Sequence, residues 1–213
     1  MAILLLDTTI EMQSVLDTAK TITAISQAAE AVVTGTHDFI AGDLIVIDAV
    51  VGMTEINKRV VRVLSVNTTV DFTCEALDST GFTAYASGGT AEKVTTFLAF
   101  DNATSFNYPE PTPNRIDVTT IHVNTKVEVF GLDDAPQITI PLIADPFAAH
   151  VVEMRAASIA KTNRVFRITM QNGNILIMNA AVAGGRGFDG AVGAVGTGQA
   201  ALTLAATEQW FAS

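Results

Sequence analysis

Cysteine and histidine are scarce in this sequence, and the scarcity removes two classes of site. One cysteine among 213 residues excludes an intrachain disulfide framework and a multi-cysteine metal site. Cys74 lies in Val70–Glu75, a run with strand character, so we expect a buried apolar thiol. His37, His122 and His150 have no second histidine or cysteine at the spacing of one helical turn or of one strand face. The sequence therefore predicts no metal site.

Charge is also scarce, and basic charge most of all. Charged residues make up 16% of the chain, and 12 basic against 22 acidic residues give a formal net charge of -10. A sequence-specific nucleic-acid binder normally has a basic face, because neutralising phosphates supplies most of its affinity. An acidic surface instead suits contact with DNA without retention. Hydrophobic residues, at 49%, supply a core and argue against disorder, and the low charge indicates a surface covered by neighbouring subunits.

Long hydrophobic runs are missing as well. No run reaches the about 18 uncharged apolar residues that suggest a membrane span. The opening MAILLL lacks the basic flank of a signal peptide, and Asp7 and Glu11 follow it closely. The sequence thus predicts a soluble protein made in a cytoplasm, with no membrane partner.

One glycine-rich segment superficially resembles a phosphate-binding loop. Such loops need a strand before them and a helix immediately after them. Gly184–Gly190 has no Gly-Lys-Ser/Thr signature, and further glycines follow it at Gly193, Gly196 and Gly198. We therefore predict a flexible or tightly packed loop at a contact between subunits.

Catalytic groupings are absent from the sequence pattern. Asp133-Asp134 follow Gly131 in a predicted turn, where aspartates usually cap backbone amides. Adjacency in sequence does not place two carboxylates across a cleft. Ser87 precedes Gly88-Gly89, but no Gly-x-Ser-x-Gly elbow surrounds it. We predict that the chain is not an enzyme, has no catalytic residue and binds no cofactor.

Most of the chain has the pattern of short β-strands separated by glycine and asparagine turns. Between Lys20 and Lys93, the length and spacing of the strands indicate a small barrel or sandwich. The strands predicted there are Thr21–Ile25, Ala31–Thr34, Leu44–Ile47, Arg59–Val66 and Val70–Glu75, with turns at Ala41–Asp43, Gly52, Asn67-Thr68 and Gly88-Gly89.

The pattern changes after Lys93. Thr95–Phe100 is a predicted strand, and Asp101–Pro113 is a polar loop with three prolines. Lys126–Phe130 and Gln137–Leu142 are predicted strands joined by a Gly131–Pro136 turn, and the second alternates with a period of two.

One helix is predicted, at about 146–161. Asp145 suits the N-cap, and Pro146 suits the first helical position, where a missing N–H costs nothing. Asn163 suits the left-handed residue that ends a helix. The apolar face predicted for this helix contains Phe147, Val151, Met154 and Ser158, widened by Ala148, Val152 and Ile159.

The charged residues on and after this helix are predicted to have structural roles. His150 and Glu153 are predicted to form an ordinary surface pair. Lys161, Arg164 and Arg167 have few aromatic neighbours, so a nucleic-acid patch is disfavoured. We expect them to complement the helix dipole and to form salt bridges between subunits.

The rest of the chain is predicted to be β-structure interrupted by one glycine-rich segment. Arg164–Met170 and Asn174–Met178 form a hairpin around Gln171-Asn172-Gly173, because Asn-Gly favours a tight turn. Ala183–Gly198 is glycine-rich. Ala200–Ala205 and Glu208–Phe211 are predicted to form a last strand that carries the only tryptophan, Trp210.

The stretch HDFIAGDLIVIDAVVGMTEINKRVVRVLSV, followed by DSTGFTAYASGGTAEKV, resembles a known module. That module is a small β-barrel named from the first catalytic-cysteine half-domain of ubiquitin-activating enzymes, and similar segments occur within phage structural proteins. The resemblance implies an inserted barrel at 20–93, on the outer surface of a larger fold that it decorates or rigidifies. It implies no ubiquitin chemistry, since the sequence has no ATP site and no activated cysteine.

The stretch Glu110–Pro146, EPTPNRIDVTTIHVNTKVEVFGLDDAPQITIPLIADP, carries a second resemblance. Together with the predicted helix and the hairpin Phe166–Met178, it resembles the major tail tube protein of long-tailed, siphovirus-like bacteriophages. The resemblance covers 94–213, with 1–19 as an opening strand. It implies a mainly β fold, a tail-tube sandwich or barrel flanked by one helix. The inserted barrel departs from the plainest family members and leaves open which N-terminal residues contribute to the tube wall.

This family implies a structural virion protein whose main partner is itself. Hexameric rings, whose inner strands close into one large barrel, stack into a tube around a tape-measure protein. Tail terminator and distal tail proteins complete the tail, and double-stranded genomic DNA passes through the lumen on ejection. Assembly takes place in the host cytoplasm. The physics agrees, because a shared barrel leaves no free strand edges and ring stacking is a heterologous contact that propagates.

Two details of the tube follow from composition. Small residues in Ala183–Gly198 permit close backbone approach between rings. We hypothesise that part of the net charge of -10 lines the lumen and repels phosphates, so that DNA slides.

A second hypothesis is a monomeric or trimeric virion decoration or adhesion module of two β-domains that does not form tubes. It accounts for the insertion but not for the low surface charge or the predicted helix.

Overall fold

The computed structural model describes residues 7–67, 69–134 and 136–212. The opening MAILLL, Thr68 of the predicted Asn67-Thr68 turn and Ala135 of the predicted Gly131–Pro136 turn lie outside these residues. Within them the chain is mainly β, with antiparallel strands and one α-helix, as predicted. The elements are β1 Thr9–Leu16, β2 Lys20–Thr21, β3 Ala24–Ile25, β4 Val32–Thr34, β5 Leu44–Val51, β6 Val60–Asn67, β7 Asp71–Cys74, β8 Ser87–Ala99, β9 Thr112–Asp117, β10 Glu128–Asp134, β11 Gln137–Ile143, α1 Ala149–Ala160, β12 Asn163–Thr169, β13 Ile175–Gly184, β14 Thr197–Leu204 and β15 Gln209–Phe211.

Thirteen of these strands form one sheet. Its order is β11-β14-β13-β12-β1-β8-β5-β6-β7-β4-β3, with β15 paired to β13 and β2 paired to β8. The strands predicted between Lys20 and Lys93 are all present, although Thr21–Ile25 is divided into β2 and β3 and Leu44–Ile47 extends to Val51.

The strands of this inserted module, 20–93, close into a barrel. β8, β5, β6, β7 and β4 are neighbours in that order. β2 pairs with β8 at Lys20↔Ala91, and β3 pairs with β4 at Ala24↔Thr34. Since only Ile22-Thr23 separates β2 from β3, the stretch 20–25 joins the first strand of the series to the last. Closure leaves no edge on which a foreign strand can pair.

The long strand β8 belongs to both halves of the sheet. Its first part pairs with β5 of the module, and its second part pairs with β1, ending at Leu16↔Val94. The N–H of Asp17 donates to the carbonyl of Lys93 at 2.8 Å and closes that ladder. The predicted turn at Gly88-Gly89 is wrong: φ values of 71° and 102° place an irregularity inside the strand, which continues through it.

Two hydrophobic clusters fill the two halves. One lies between α1 and the sheet and contains Met154, Phe166 and Met178. The other fills the barrel and contains Ile47 and Phe72. Each half of the sheet therefore has its own core.

A third cluster packs the module against the sheet, away from α1. It joins Leu44 and Val60 of the module to Val165, Ile177 and Phe211. Two polar contacts flank it: the Asn179 side-chain amide donates to the carbonyl of Lys58 at 2.8 Å, and the Arg62 guanidinium lies 4.2 Å from the Phe211 ring centre. The module is thus packed onto the sheet as well as continuous with it.

The helix is shorter than predicted at its start. The Asp145 carboxylate accepts the N–H of Phe147 at 3.1 Å, which forms a turn, and α1 begins three residues after Pro146. Its N-cap, Ala148, makes no side-chain cap. The left-handed residue at its end is Lys161, at φ 58°, and not the predicted Asn163. Among the described residues, neither α1 nor any other helix is long and apolar enough to cross a membrane.

The buried face of α1 also differs from the predicted face. Phe147, Val152 and Ile159 are exposed. The residues of α1 that are buried are His150, Val151, Met154 and Ala157. The buried stripe therefore runs along the side of Val151 and Met154 that carries His150 and Ala157, and not along the side that carries Val152 and Ile159.

The predicted turn at Gly131–Pro136 is wrong. Gly131 and Asp134 lie within β10, which pairs with β9 in a separate two-stranded sheet. β11 pairs instead with β14. Part of the predicted Asp101–Pro113 loop forms the covering edge of β11, and its end opens β9.

The C-terminal hairpin is confirmed. β12 pairs with β13 from Asn163↔Ala181 to Thr169↔Ile175, and Gly173 has φ 83° in the turn. The predicted last strand is two strands, β14 and β15, which pair with different parts of β13.

Candidate assembly surface

The β9–β10 hairpin carries four aliphatic side chains on one face. Ile116 pairs with Val129 across the strands, and the N–H of Val118 donates to the carbonyl of Val127 at 2.9 Å. Because side chains alternate along a strand, these four residues share a face, here called the aliphatic face. Their side chains remain 42% to 50% exposed. The hairpin therefore presents β-branched side chains to solvent.

The opposite face of the hairpin is polar and satisfied internally. Glu128 forms ion pairs with Lys126 and, at 3.4 Å, with Arg115, whose guanidinium lies 5.8 Å from the Phe130 ring centre. Hydrogen bonds from Lys126 and then Arg115 lower the pKa of Glu128. The charged groups of this face thus have partners within the hairpin, whereas Phe130 beside them is 75% exposed.

The base of the hairpin is fixed to the sheet. Asn107 exchanges two backbone hydrogen bonds of 3.0 Å with Thr139 of β11, and the N–H of Thr104 donates to Pro141 at 2.9 Å. Burial and a hydrogen bond with Glu208 raise the pKa of Tyr108, just before the hairpin. The hairpin therefore projects from an anchored base.

A groove lies between α1 and the loop after β13. Its cavity of about 90 Å³ is lined by apolar side chains that include Ile143, Met154 and Phe188. Arg155 fastens the helix to the loop, since its Nε donates to the carbonyl of Gly185 at 2.7 Å. The prediction of a loop at Gly184–Gly190 is confirmed, with Gly184 ending β13. Its place at a subunit contact stays a prediction.

The three histidines are not brought together. His37 is buried in the barrel between the rings of Phe39 and Phe72, and His122 is exposed near the hairpin tip. His150 is buried, and the prediction of a surface pair with Glu153 is wrong. Among residues 7–67, 69–134 and 136–212, no group of three or more potential ligands could hold a metal ion.

His150 instead joins α1 to the segment before the hairpin. Its Nε2 lies 2.7 Å from Oδ1 of Asn102, and its ring centre is 4.7 Å from that of Phe100. Asn102 donates its amide N–H to the carbonyl of Ile143, so Oδ1 is the acceptor and Nε2 carries the proton. Burial lowers the pKa of His150.

Other candidate residues have structural positions. Asp133 and Asp134 belong to β10 and not to a turn, and Ser87 is the exposed first residue of β8. Arg164 and Arg167 pair with Glu153 and Glu11 of the same chain, each at 2.7 Å. These two ion pairs join elements of the fold, and the predicted salt bridges between subunits stay a prediction.

Cys74 is buried, as predicted. Desolvation raises the pKa of its thiol to about 12. A thiol that stays protonated is a poor nucleophile, so Cys74 has the character of a core residue.

One known family matches part of the chain, in the region of the barrel. Residues 29–95 match the ubiquitin-activating enzyme E1 FCCH domain. The match supports the resemblance of the inserted module and covers less than half of the chain. β2 and β3, which close the barrel, lie before it. No curated protein matches the chain.

Sequence reasoning missed the aliphatic face. The signal was present: Val127 and Val129 alternate with charged residues, and so do Ile116 and Val118. The prolines at 109, 111 and 113 led to the prediction of a loop up to Pro113, which includes the first two residues of β9.

Proposed function

We propose that this chain is a structural virion protein, the subunit of hexameric rings that stack into the tail tube of a long-tailed bacteriophage. The tube conducts genomic DNA during ejection. The ordered resemblance of 94–213 to major tail tube proteins is one support. The observation that carries the proposal is the uncovered aliphatic face of the β9–β10 hairpin.

An isolated two-stranded hairpin is marginally stable in water at best. Completing the burial of four half-exposed β-branched side chains supplies about 1 kcal/mol each, or about 4 kcal/mol in total. Association costs at least about 4 kcal/mol in lost freedom of motion, so one such contact only breaks even. Several contacts made together in a ring or tube favour association, which agrees with a repeating assembly.

The distribution of strand edges gives a second argument. The barrel is closed, and residues 102–107 cover the edge of β11 through bonds such as Ile143 N–H to the carbonyl of Asn102 at 2.9 Å. The outer edges of β9 and β10 are not paired with any described strand. Uncovered edges invite pairing with another chain. The hairpin is thus the element that suits a barrel shared among subunits.

The partners implied by this function are further copies of the chain, a tape-measure protein, and tail terminator and distal tail proteins. An acidic lumen remains part of the proposal. The hairpin contributes to it through residues 110–134, where five acidic against two basic residues give a net charge of -3. A reconstruction with a neutral or basic lumen would contradict this part alone.

Negative-stain microscopy and sedimentation of the purified chain test the proposal. Rings or hollow tubes are expected. Discrete monomers or trimers at every concentration and salt condition would overturn it and favour the decoration or adhesion module. In that case the closed barrel would be the feature to test for a binding partner.

A further inference from the structure

The side of the β9–β10 hairpin opposite the aliphatic face carries its charged residues. Asp117 lies opposite Glu128 in the strand pairing, and Arg115 lies opposite Phe130. Because side chains alternate along a strand, these four residues share a face, here called the charged face. Lys126 joins this face through its ion pair with Glu128. The hairpin therefore separates its aliphatic side chains from its charged ones.

One carboxylate contacts both cations of the charged face. Oε2 of Glu128 lies 3.4 Å from Nη1 of Arg115, and its Oε1 pairs with the ammonium group of Lys126. The side chain of Glu128 is 27% exposed, whereas those of Arg115 and Lys126 are 66% and 63% exposed. The Asp117 carboxylate accepts the N–H of Thr119 at 2.8 Å. Two cations and two carboxylates thus sum to zero, and neither cation stands apart from Glu128.

A face of this kind has little hold on duplex DNA. Proteins hold DNA mainly by placing cations against its phosphates, and each phosphate neutralised adds to the affinity. On the charged face each cation has a carboxylate beside it, which repels an approaching phosphate. Phe130 offers no hold on a duplex either, because aromatic rings stack on unpaired bases. The charged face therefore suits contact with duplex DNA without retention.

The aliphatic face has the opposite character. Its four side chains are 42% to 50% exposed, and their removal from water is favourable. A tube wall built from this hairpin has one surface towards the lumen and one towards the protein around it. Burial against protein suits the aliphatic face, and a water-filled lumen suits the charged face.

We infer that the charged face of the β9–β10 hairpin lines the lumen of the tube, and that Glu128 keeps Arg115 and Lys126 from binding the phosphates of the passing DNA. This inference rests on the proposed function, because it names the surface that meets the DNA in that tube. Every subunit repeats the cluster, so loss of this carboxylate frees two cations in each subunit along the lumen. Individually weak contacts then act together on one duplex.

Glu128→Gln tests the role of the carboxylate. Tubes are mixed with a fluorescent DNA duplex at low salt and sedimented, and the DNA that sediments with them is measured. Tubes of Glu128→Gln should retain at least about tenfold more duplex than wild-type tubes, and the excess should disappear as the salt concentration rises.

Two controls show that the freed cations cause the retention. Glu30→Gln removes the same charge from an exposed position on the inserted module, and its tubes should retain no more duplex than the wild type. Adding Arg115→Gln and Lys126→Gln to Glu128→Gln should remove the excess, because no freed cation is then left to bind a phosphate.

Thiol labelling tests the orientation of the hairpin with Glu128 unchanged. Phe130→Cys places a thiol on the charged face, and Val129→Cys places one on the aliphatic face. In assembled tubes Phe130→Cys should react with a small maleimide, but not with a maleimide on a carrier protein wider than duplex DNA. Val129→Cys should be protected from both reagents, and both variants should react before assembly. The native thiol at Cys74 is buried and does not interfere.

The outcomes separate this inference from the proposed function. Wild-type tubes, with added DNA retention in Glu128→Gln and with this labelling pattern, support the inference. Wild-type tubes with a reactive Val129→Cys and a protected Phe130→Cys, or with no added retention in assembled Glu128→Gln, overturn it and leave the tube function standing. The labelling alone decides the inference if Glu128→Gln does not assemble. A wild type that forms neither rings nor tubes overturns both.

Discussion

The third hydrophobic cluster gives the sharpest stability prediction. Phe211 is 3% exposed in β15 and touches the module through the Arg62 guanidinium, 4.2 Å from its ring centre. Phe211→Ala should lower the free energy of unfolding by about 3–4 kcal/mol, because it removes buried area and leaves a cavity. Phe147→Ala removes the same side chain from an exposed position, so its effect should stay within about 0.5 kcal/mol.

A double-mutant cycle isolates the contact between the ring and the guanidinium. Phe211→Leu keeps most of the volume, and Arg62→Met keeps the stem of the side chain. We expect a coupling of about 0.5–1 kcal/mol, typical of a partly exposed cation–π pair. Arg62 also pairs with Glu75, and that loss is common to both arms of the cycle and cancels.

Urea unfolding followed by circular dichroism measures these values. Runs at two protein concentrations must coincide, since assembly would otherwise add to stability by mass action. An effect of Phe211→Ala below about 1 kcal/mol would contradict the cavity argument. A coupling within about 0.3 kcal/mol of zero would mean that the guanidinium and the ring act independently.

Acid should destabilise the fold through His150. Burial lowers its pKa, so its contribution is full above the unfolded value of about 6.5 and declines as pH falls through that value towards the lowered one. The melting temperature of His150→Gln should therefore change less on acidification than that of wild type, and an equal change would count against this role. Gly173→Ala should cost about 1 kcal/mol in urea unfolding, because its φ is 83°; no loss would mean that the turn relaxes. Cys74 should react with a thiol reagent only after unfolding, and prompt labelling of the native protein would contradict its burial.

Local signals allowed much of the β-structure to be predicted. Asn172-Gly173 marks the β12–β13 turn, because the turn needs a residue that tolerates the φ of 83° found at Gly173. Strands of the inserted module were also found from alternation and turns. In both regions, residues close in sequence determine the structure.

Errors arose where distant partners decide the structure. Gly131 resembles a turn residue but lies in β10, because pairing with β9 outweighs its local preference. Asp145 caps a turn at Phe147 and not the helix, and either role satisfies a backbone N–H. The burial of His150 depends on Asn102, 48 positions away, which no local pattern reveals.

The aliphatic face was missed for a related reason. Each strand alternates locally, but ten residues without a strong turn signal separate β9 from β10. The pairing of the two strands places Ile116 beside Val129, and local alternation does not give that register.

The ladder between β1 and β8 has an evolutionary consequence. Asp17 and Lys93 lie side by side at its end, so the module occupies the position that a two-residue hairpin turn would fill. An ancestor could acquire or discard the barrel there without disturbing the register of the surrounding strands. Loss of the module would also expose the side chains of Val165 and Phe211, which pack against it. Relatives without the module are therefore expected to have polar residues at those two positions.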